Sequence, residues 1–193
     1  VIIQKAGDII PEIKQVLLPL RPSKTVSYKF PKKVPGCGGS GSIERIPGEA
    51  AYRCVSLDSD YLHQQKLYYF VSKTAFNIDG VGPKNIDLLL KEGLIRTAAD
   101  LFTLEEKDLV GLPLFKDKAA QNVIAAIKAA RAVPLHRLLV GLSIDNVGEE
   151  TARVLAEQFG SVTAIREAAA ADIAAVHGLG DTIAESVVSW FTK

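Results

Sequence analysis

Two stretches of this sequence, IDGVGPKNIDLLL at 78–90 and VHGLGDTIAESVV at 176–188, obey one rule: apolar, any residue, Gly, apolar, Gly, then apolar positions at helical spacing. A third stretch, IDNVGEETARVLA at 144–156, keeps Val147 and Gly148 but has Asn146 in place of the first glycine. A fourth, LPLFKDKAAQNVI at 112–124, matches in its helix and carries Leu114 and Lys116 at the glycine positions. The second glycine position falls at Gly82, Lys116, Gly148 and Gly180, so the units follow one another at 34, 32 and 32 residues. Such a period implies four equivalent units that bury their apolar faces against each other. Tetratricopeptide repeats share a period near 34, but their aromatic and small-residue signature is missing and a Gly-apolar-Gly turn has no role in them.

A helix, a tight Gly-apolar-Gly turn and a second helix make a helix-hairpin-helix unit. The glycines are expected to allow positive φ and to let a foreign backbone come close. Val81, Val147 and Leu179, between the glycines, are expected to anchor each turn in the core. The unpaired N–H groups at the hairpin and at the start of the second helix then form an anion site, aided by the helix dipole. A DNA phosphate is the natural ligand, and such contact is sequence-independent and salt-sensitive. The expected contact residues are Gly80, Val81, Gly82 and Lys84 in unit one, Lys118 in unit two, Gly148 and Thr151 in unit three, and Gly178, Gly180 and Thr182 in unit four. Glu149, Glu150 and Asp181 favour the dipole but repel phosphate, so units three and four should bind more weakly than unit one. With Leu114 and Lys116 in its turn, unit two is expected to pack rather than to touch DNA. Asn146 suits a left-handed turn better than most residues.

Bulk charge says little: 23 Lys+Arg against 22 Asp+Glu leave +1. By stretch the balance is +5 over 1–33, −1 over 34–72, +1 over 73–133 and −4 over 134–193. At 48% hydrophobic and 23% charged the chain is no disordered tail. Two cysteines cannot build a disulfide framework, and no apolar run approaches a membrane span, so a cytoplasmic protein is expected, with no membrane partner. The absence of methionine and the opening run VIIQ suggest a piece of something longer.

The expected architecture is mainly α with a small β-rich N-terminal part. Residues 1–10 are strand-like up to the turn AGD, and the run after Pro11 suits a strand or a short helical turn. Pro22, Pro31 and Pro35, with Lys24, Lys29, Lys32 and Lys33, mark 21–36 as a linker or extended edge. A small module holding Cys37 and Cys54 follows, with Ile43, Ile46, Tyr52 and Leu57 as its expected packing. Everything after Lys66 reads as helix, with Pro83 opening one and Gly93 and Gly160 stopping others. Tyr68, Tyr69 and Phe70 suit a core patch, Trp190 and Phe191 the core of the last helix, and His136 and His177 surface or capping roles.

The runs KAGDIIP (5–11), PGCG (35–38), GEAAYRC (48–54), FVSKTAFNIDGVG (70–82), DLFTLEEKDL (100–109), KAAQNVIAAI (118–127) and HRLLVGLSIDNVGEETARVLAEQFGS (136–161) resemble the C-terminal half of bacterial NAD-dependent DNA ligases. The resemblance implies the end of an OB fold and linker at 1–33, a zinc-finger-like module at 34–66 and four helix-hairpin-helix units in one compact domain at 67–193. It also implies that the chain begins in the last OB strand and stops before the BRCT domain. Lys5 matches a basic position on the family's DNA-facing side, although a lysine beside a turn also suits a plain surface.

The family's adenylation motif, Lys-x-Asp-Gly, does not occur here. The expectation is therefore a DNA-engaging part of a nick-sealing enzyme of replication and repair, inactive alone. NAD would serve the full enzyme and bind elsewhere. The implied partners are nicked double-stranded DNA, in a nucleoid setting, and the adenylation and BRCT domains of the same chain. A stand-alone helix-hairpin-helix subunit of a nuclease or junction-processing complex is the rival reading, and a protein-interaction module a weaker third.

The family's zinc finger has four cysteines. Here Cys37 and Cys54 match the second and third, while Val34 and Ser59 replace the others. No metal is expected, since valine cannot coordinate and a serine hydroxyl is a poor zinc ligand. Asp58, Asp60 or His63 could supply ligands only with new geometry. In a reducing compartment the two cysteines are expected as thiols.

Overall fold

The computed structural model describes residues 1–7, 9–48, 50–56 and 59–192. At the N-terminus, strands β1 (Ile2–Ala6) and β2 (Ile10–Gln15) form an antiparallel ribbon with Ile3 opposite Ile13 and Lys5 opposite Pro11. Gly7, at φ +64, makes the turn, and the run after Pro11 becomes strand and then a 3-10 turn at Leu18–Leu20. Ile3, Ile10, Ile13 and Leu20 are 60–76% exposed, so this ribbon has no core of its own.

The cysteine module is a second two-stranded sheet, β3 (Ile43–Arg45) with β4 (Tyr52–Cys54). It draws on the proline-rich segment: Ile43 donates to the Lys32 carbonyl, Lys33 bridges to Ser42, and Phe30 stacks on Tyr52 with centroids 3.8 Å apart. Ile43 and Ile46 are half-buried and Tyr52 is exposed, while Leu57 and Asp58 lie outside the described residues.

The expected free thiols are not found. The turn closed by Val34 N–H on the Gly41 carbonyl (2.8 Å) and the pairing of Ile43 with Cys54 bring Cys37 and Cys54 to a Cα separation of 5.4 Å, and the two form a disulfide. Both are buried, so the turn and the sheet edge shield the bond.

The fourth-ligand position has a new role. Ser59, 2% exposed, is the N-cap of helix α1 (Asp60–Val71), and its hydroxyl accepts the Leu62 N–H at 3.1 Å. Helix therefore begins at Asp60 rather than after Lys66. These residues do not fit a zinc ion: the two sulfurs are bonded to each other, the serine oxygen is engaged, and position 34 is a valine. Among the described residues no group of three or more His, Cys, Asp or Glu is placed to hold a metal.

The rest is helical: α2 (Pro83–Lys91), α3 (Glu106–Leu109), α4 (Asp117–Ala129), α5 (Leu135–Gly141), α6 (Glu149–Phe159), α7 (Val162–Glu167), α8 (Ala170–Ala174) and α9 (Asp181–Phe191). Pro83 is the first residue of α2, and Gly93 and Gly160 adopt φ +70 and +69 at helix ends, as expected. Helices pack as α1 on α2, α3 on α4, α5 on α6 and α8 on α9, which are the four units; α7 links the last two.

One apolar core runs from Leu67 to Val187. The repeat is visible in it. Four residues after each marker stand Ile86, Ala120, Ala152 and Ala184, none more than 1% exposed, and seven after stand Leu89, Val123, Leu155 and Val187, none more than 4%. Burying each of the leucines contributes roughly 1.5–3 kcal/mol.

Units one and three meet through an aromatic stack on a glycine. Phe70 and Phe76 lie face to face with centroids 3.9 Å apart, and a Cβ at Gly141, in α5, would stand 2.7 Å from the Phe76 ring. Arg137, also in α5, donates to the Lys73 carbonyl across the same seam. Within unit one, Tyr68 and Gln64 both donate to the Asp87 carboxylate, joining α1 to α2. Burial, then the hydrogen bond to Asp87 and after it the Asp87 charge, push the Tyr68 phenol up to about 12. Tyr69 is exposed; Trp190 and Phe191 are half-buried and pack edge to face. No helix among the described residues is long and apolar enough to cross a membrane.

Candidate nucleic-acid interface

All four hairpins close in the same way. The apolar residue of the turn donates its N–H three residues back: Val81 to Ile78 (3.2 Å), Phe115 to Leu112 (3.0 Å), Val147 to Ile144 (3.1 Å) and Leu179 to Val176 (2.9 Å). Val81, Val147 and Leu179 are buried, as expected for turn anchors, and so is Phe115, which was not among those expected.

The two glycines of the motif have different jobs, which corrects the expectation that both supply positive φ. The first position is left-handed: Gly80 at φ +74, Asn146 at +63 and Gly178 at +86. The second is extended backbone that any residue adopts: Gly82 at φ −104, Gly148 at −87 and Gly180 at −97, each the N-cap of its helix. Lys116 holds the same geometry in unit two at φ −86. A Cβ added at Gly82, Gly148 or Gly180 would meet nothing within 4 Å. Neither dihedral nor internal packing requires glycine there, although glycine suits an N-cap better than an apolar residue does.

Each marker opens a helix without a side-chain cap, whereas α1 and α7 are capped by Ser59 and Ser161. The N–H groups of Gly82 and Lys84, of Gly148, Glu149 and Glu150, and of Gly180, Asp181 and Thr182 have no partner among the described residues. These are convergent donors at the positive end of a helix dipole. Pro83 removes one donor from unit one.

Lys84 and Lys118 are exposed at the second residue of α2 and α4, Thr182 is exposed at the second of α9, and Thr151 is half-buried at the third of α6. Glu149, Glu150 and Asp181 are exposed in the same first turns. Lys5 lies in β1, in the N-terminal ribbon. Unit two departs most: Leu114 is 50% exposed and is not left-handed. His136 is half-buried and His177 exposed.

Two contributors escaped the motif. Asn85 donates its side-chain amide to the Gly80 carbonyl, tying the first hairpin to its own helix. Asn146 donates to Ser186 Oγ at 2.9 Å, and Ser186 in turn donates to the Thr182 carbonyl, so hairpin three leans on α9. Hairpin one leans on α4 by packing instead of a hydrogen bond, since a Cβ at Gly80 would stand 3.0 Å from Val123 Cγ2. The only signal for either was an amide side chain beside a turn.

Residues 73–129 match the SAM-like helix-hairpin-helix tandem family and residues 137–193 the helix-hairpin-helix motif family. The whole chain is similar to proteins named DNA ligase: 42% identical to that of Leuconostoc citreum over 99% of this chain, and 44% and 41% to those of Symbiobacterium thermophilum and Lysinibacillus sphaericus over 100%. It spans 28–29% of the length of these relatives.

Proposed function

We propose that this chain, similar over its whole length to a stretch of proteins named DNA ligase, grips double-stranded DNA by its phosphates, without regard to sequence, within an NAD-dependent ligase that seals nicks. The observation that carries this reading is the empty space at Gly82, Gly148 and Gly180, in front of helix N-termini whose N–H groups are unpartnered. A phosphate backbone approaching that closely needs both: no Cβ in its way and several donors converging on one oxygen cluster. Lys84 and Lys118 add point charges beside the first two helix starts, and Thr182 a hydroxyl beside the last.

The chemistry of sealing is assigned to other parts of a longer enzyme. No Lys-x-Asp-Gly lysine is present in these 193 residues to take up AMP from NAD. The part played here is to hold the duplex around the nick, with the adenylation and BRCT domains as partners.

Binding to a nicked duplex, followed by fluorescence anisotropy over a series of salt concentrations, tests the reading. The expected result is affinity that falls steeply with salt and a loss of affinity in both Gly82→Val and Lys84→Ala, with thermal melting nearly unchanged. Affinity indifferent to salt, or unchanged in both variants, would overturn it and favour a protein-interaction module.

A further inference from the structure

The last sixty residues carry four basic side chains against eight acidic ones, so the position of each cation there matters. Of the three arginines in that stretch, Arg166 is occupied locally by Glu167 at 3.4 Å. The other two, Arg137 and Arg153, line one groove at the seam between the two hairpin pairs, together with Lys73, Thr74, His136 and Glu149. Lys73 and Thr74 come from the exit of α1, His136 and Arg137 from α5, and Glu149 and Arg153 from α6.

Three permanent cations thus face one carboxylate in the groove, and Glu150 stands just outside, 4.0 Å from Arg153. That ion pair is loose and its side chains are 53% and 87% exposed, so it leaves the guanidinium available to a stronger anion. Arg137 is held in place by its bond to the Lys73 carbonyl, which fixes the two basic residues relative to each other.

The groove ends where hairpin three begins, because Glu149 directly follows the open N-cap Gly148. We propose that this groove is a second grip on the nucleic-acid backbone, in which Lys73, Arg137 and Arg153 pair with phosphates adjoining the one held by hairpin three. It gives the acidic half of the array a cationic side-chain contact that its hairpin motif lacks, and it lies across the joint between the pairs. A duplex bound there spans both. The occupant is a polyanion because the cations come from three elements and are spread along an open groove, which suits a row of phosphates.

The inference rests on the DNA-binding reading above, and the experiment separates the two. Binding of the 193-residue chain to a nicked duplex is measured over a salt series for wild type, Lys73→Gln, Arg153→Gln and Arg166→Gln, with thermal melting of each. Lys73→Gln and Arg153→Gln should each weaken binding by roughly threefold to tenfold and reduce the slope of log K against log salt by about 0.9. Arg166→Gln, outside the groove, should match wild type. Wild-type binding that is salt-dependent while Lys73→Gln and Arg153→Gln keep its affinity and slope would overturn the groove and spare the hairpins. No wild-type binding even at low salt would overturn both.

Discussion

Residues 73–133 carry nine basic and eight acidic side chains and residues 134–193 four and eight, yet the two hairpin pairs are built on the same skeleton. Turn bonds, N-cap geometry, buried positions four and seven after each marker, and the brace from one hairpin to the next unit all recur. Apolar spacing and turn stereochemistry therefore determine the skeleton, while charge drifts on a surface that the skeleton does not read. Unpartnered backbone donors open helices in either pair; only the first pair sets a lysine beside them at the second helical residue.

The largest test of the shared skeleton compares equivalent core leucines. Leu89→Ala and Leu155→Ala each remove a side chain with 0% exposure, seven residues after a marker, and each should cost about 2–5 kcal/mol in urea unfolding. Costs that differ severalfold would mean the pairs are not equivalent. Next comes the joint. Gly141→Ala drives a methyl group against the Phe70 and Phe76 stack and should cost about 1–3 kcal/mol, whereas the same change in an open helix would be favourable. A neutral result would show that the pairs meet less closely than the stack implies.

The charge contrast is tested by reversing it. Glu150→Lys places a cation where Lys84 and Lys118 stand in the first pair, and its side chain is 87% exposed. DNA affinity should rise roughly threefold to tenfold with a salt slope steeper by about 0.9. Unchanged binding would take the second pair off the contact surface.

The smallest effect on the array is expected from Cys37→Ser with Cys54→Ser, since neither sulfur belongs to its core. Array melting should shift by no more than about 0.5 kcal/mol, while amide exchange quickens in the small module. Stoichiometric zinc in the reduced wild-type protein would show that the module still takes a metal.

Much of the helical array was legible because Gly-apolar-Gly is a local rule: all four markers are helix N-caps. That only the first glycine of each turn is left-handed was not legible, since a sequence shows which residue is small and not the φ it adopts. Ser59 was hidden by its own alignment with a ligand position, so a helix cap passed for a lost cysteine. The disulfide depends on a distance that a separation of 17 residues does not determine. Lys73, Arg137 and Arg153 went unmarked because they belong to three elements and meet only after packing.

The leaning of hairpin one on α4 and of hairpin three on α9 bears on how such a protein can be cut, copied and rearranged. Unit one or unit three lifted out alone would leave its turn without the surface that holds it, so the smallest piece that keeps a brace is a pair. Extra residues placed after Val133, between α4 and α5, would leave both braces whole. The same residues placed after Glu92 would lie inside the first brace and strain it. Lineages that gain or lose hairpins of this kind should therefore do so in twos, and a graft onto another scaffold should begin before α1 or before α5.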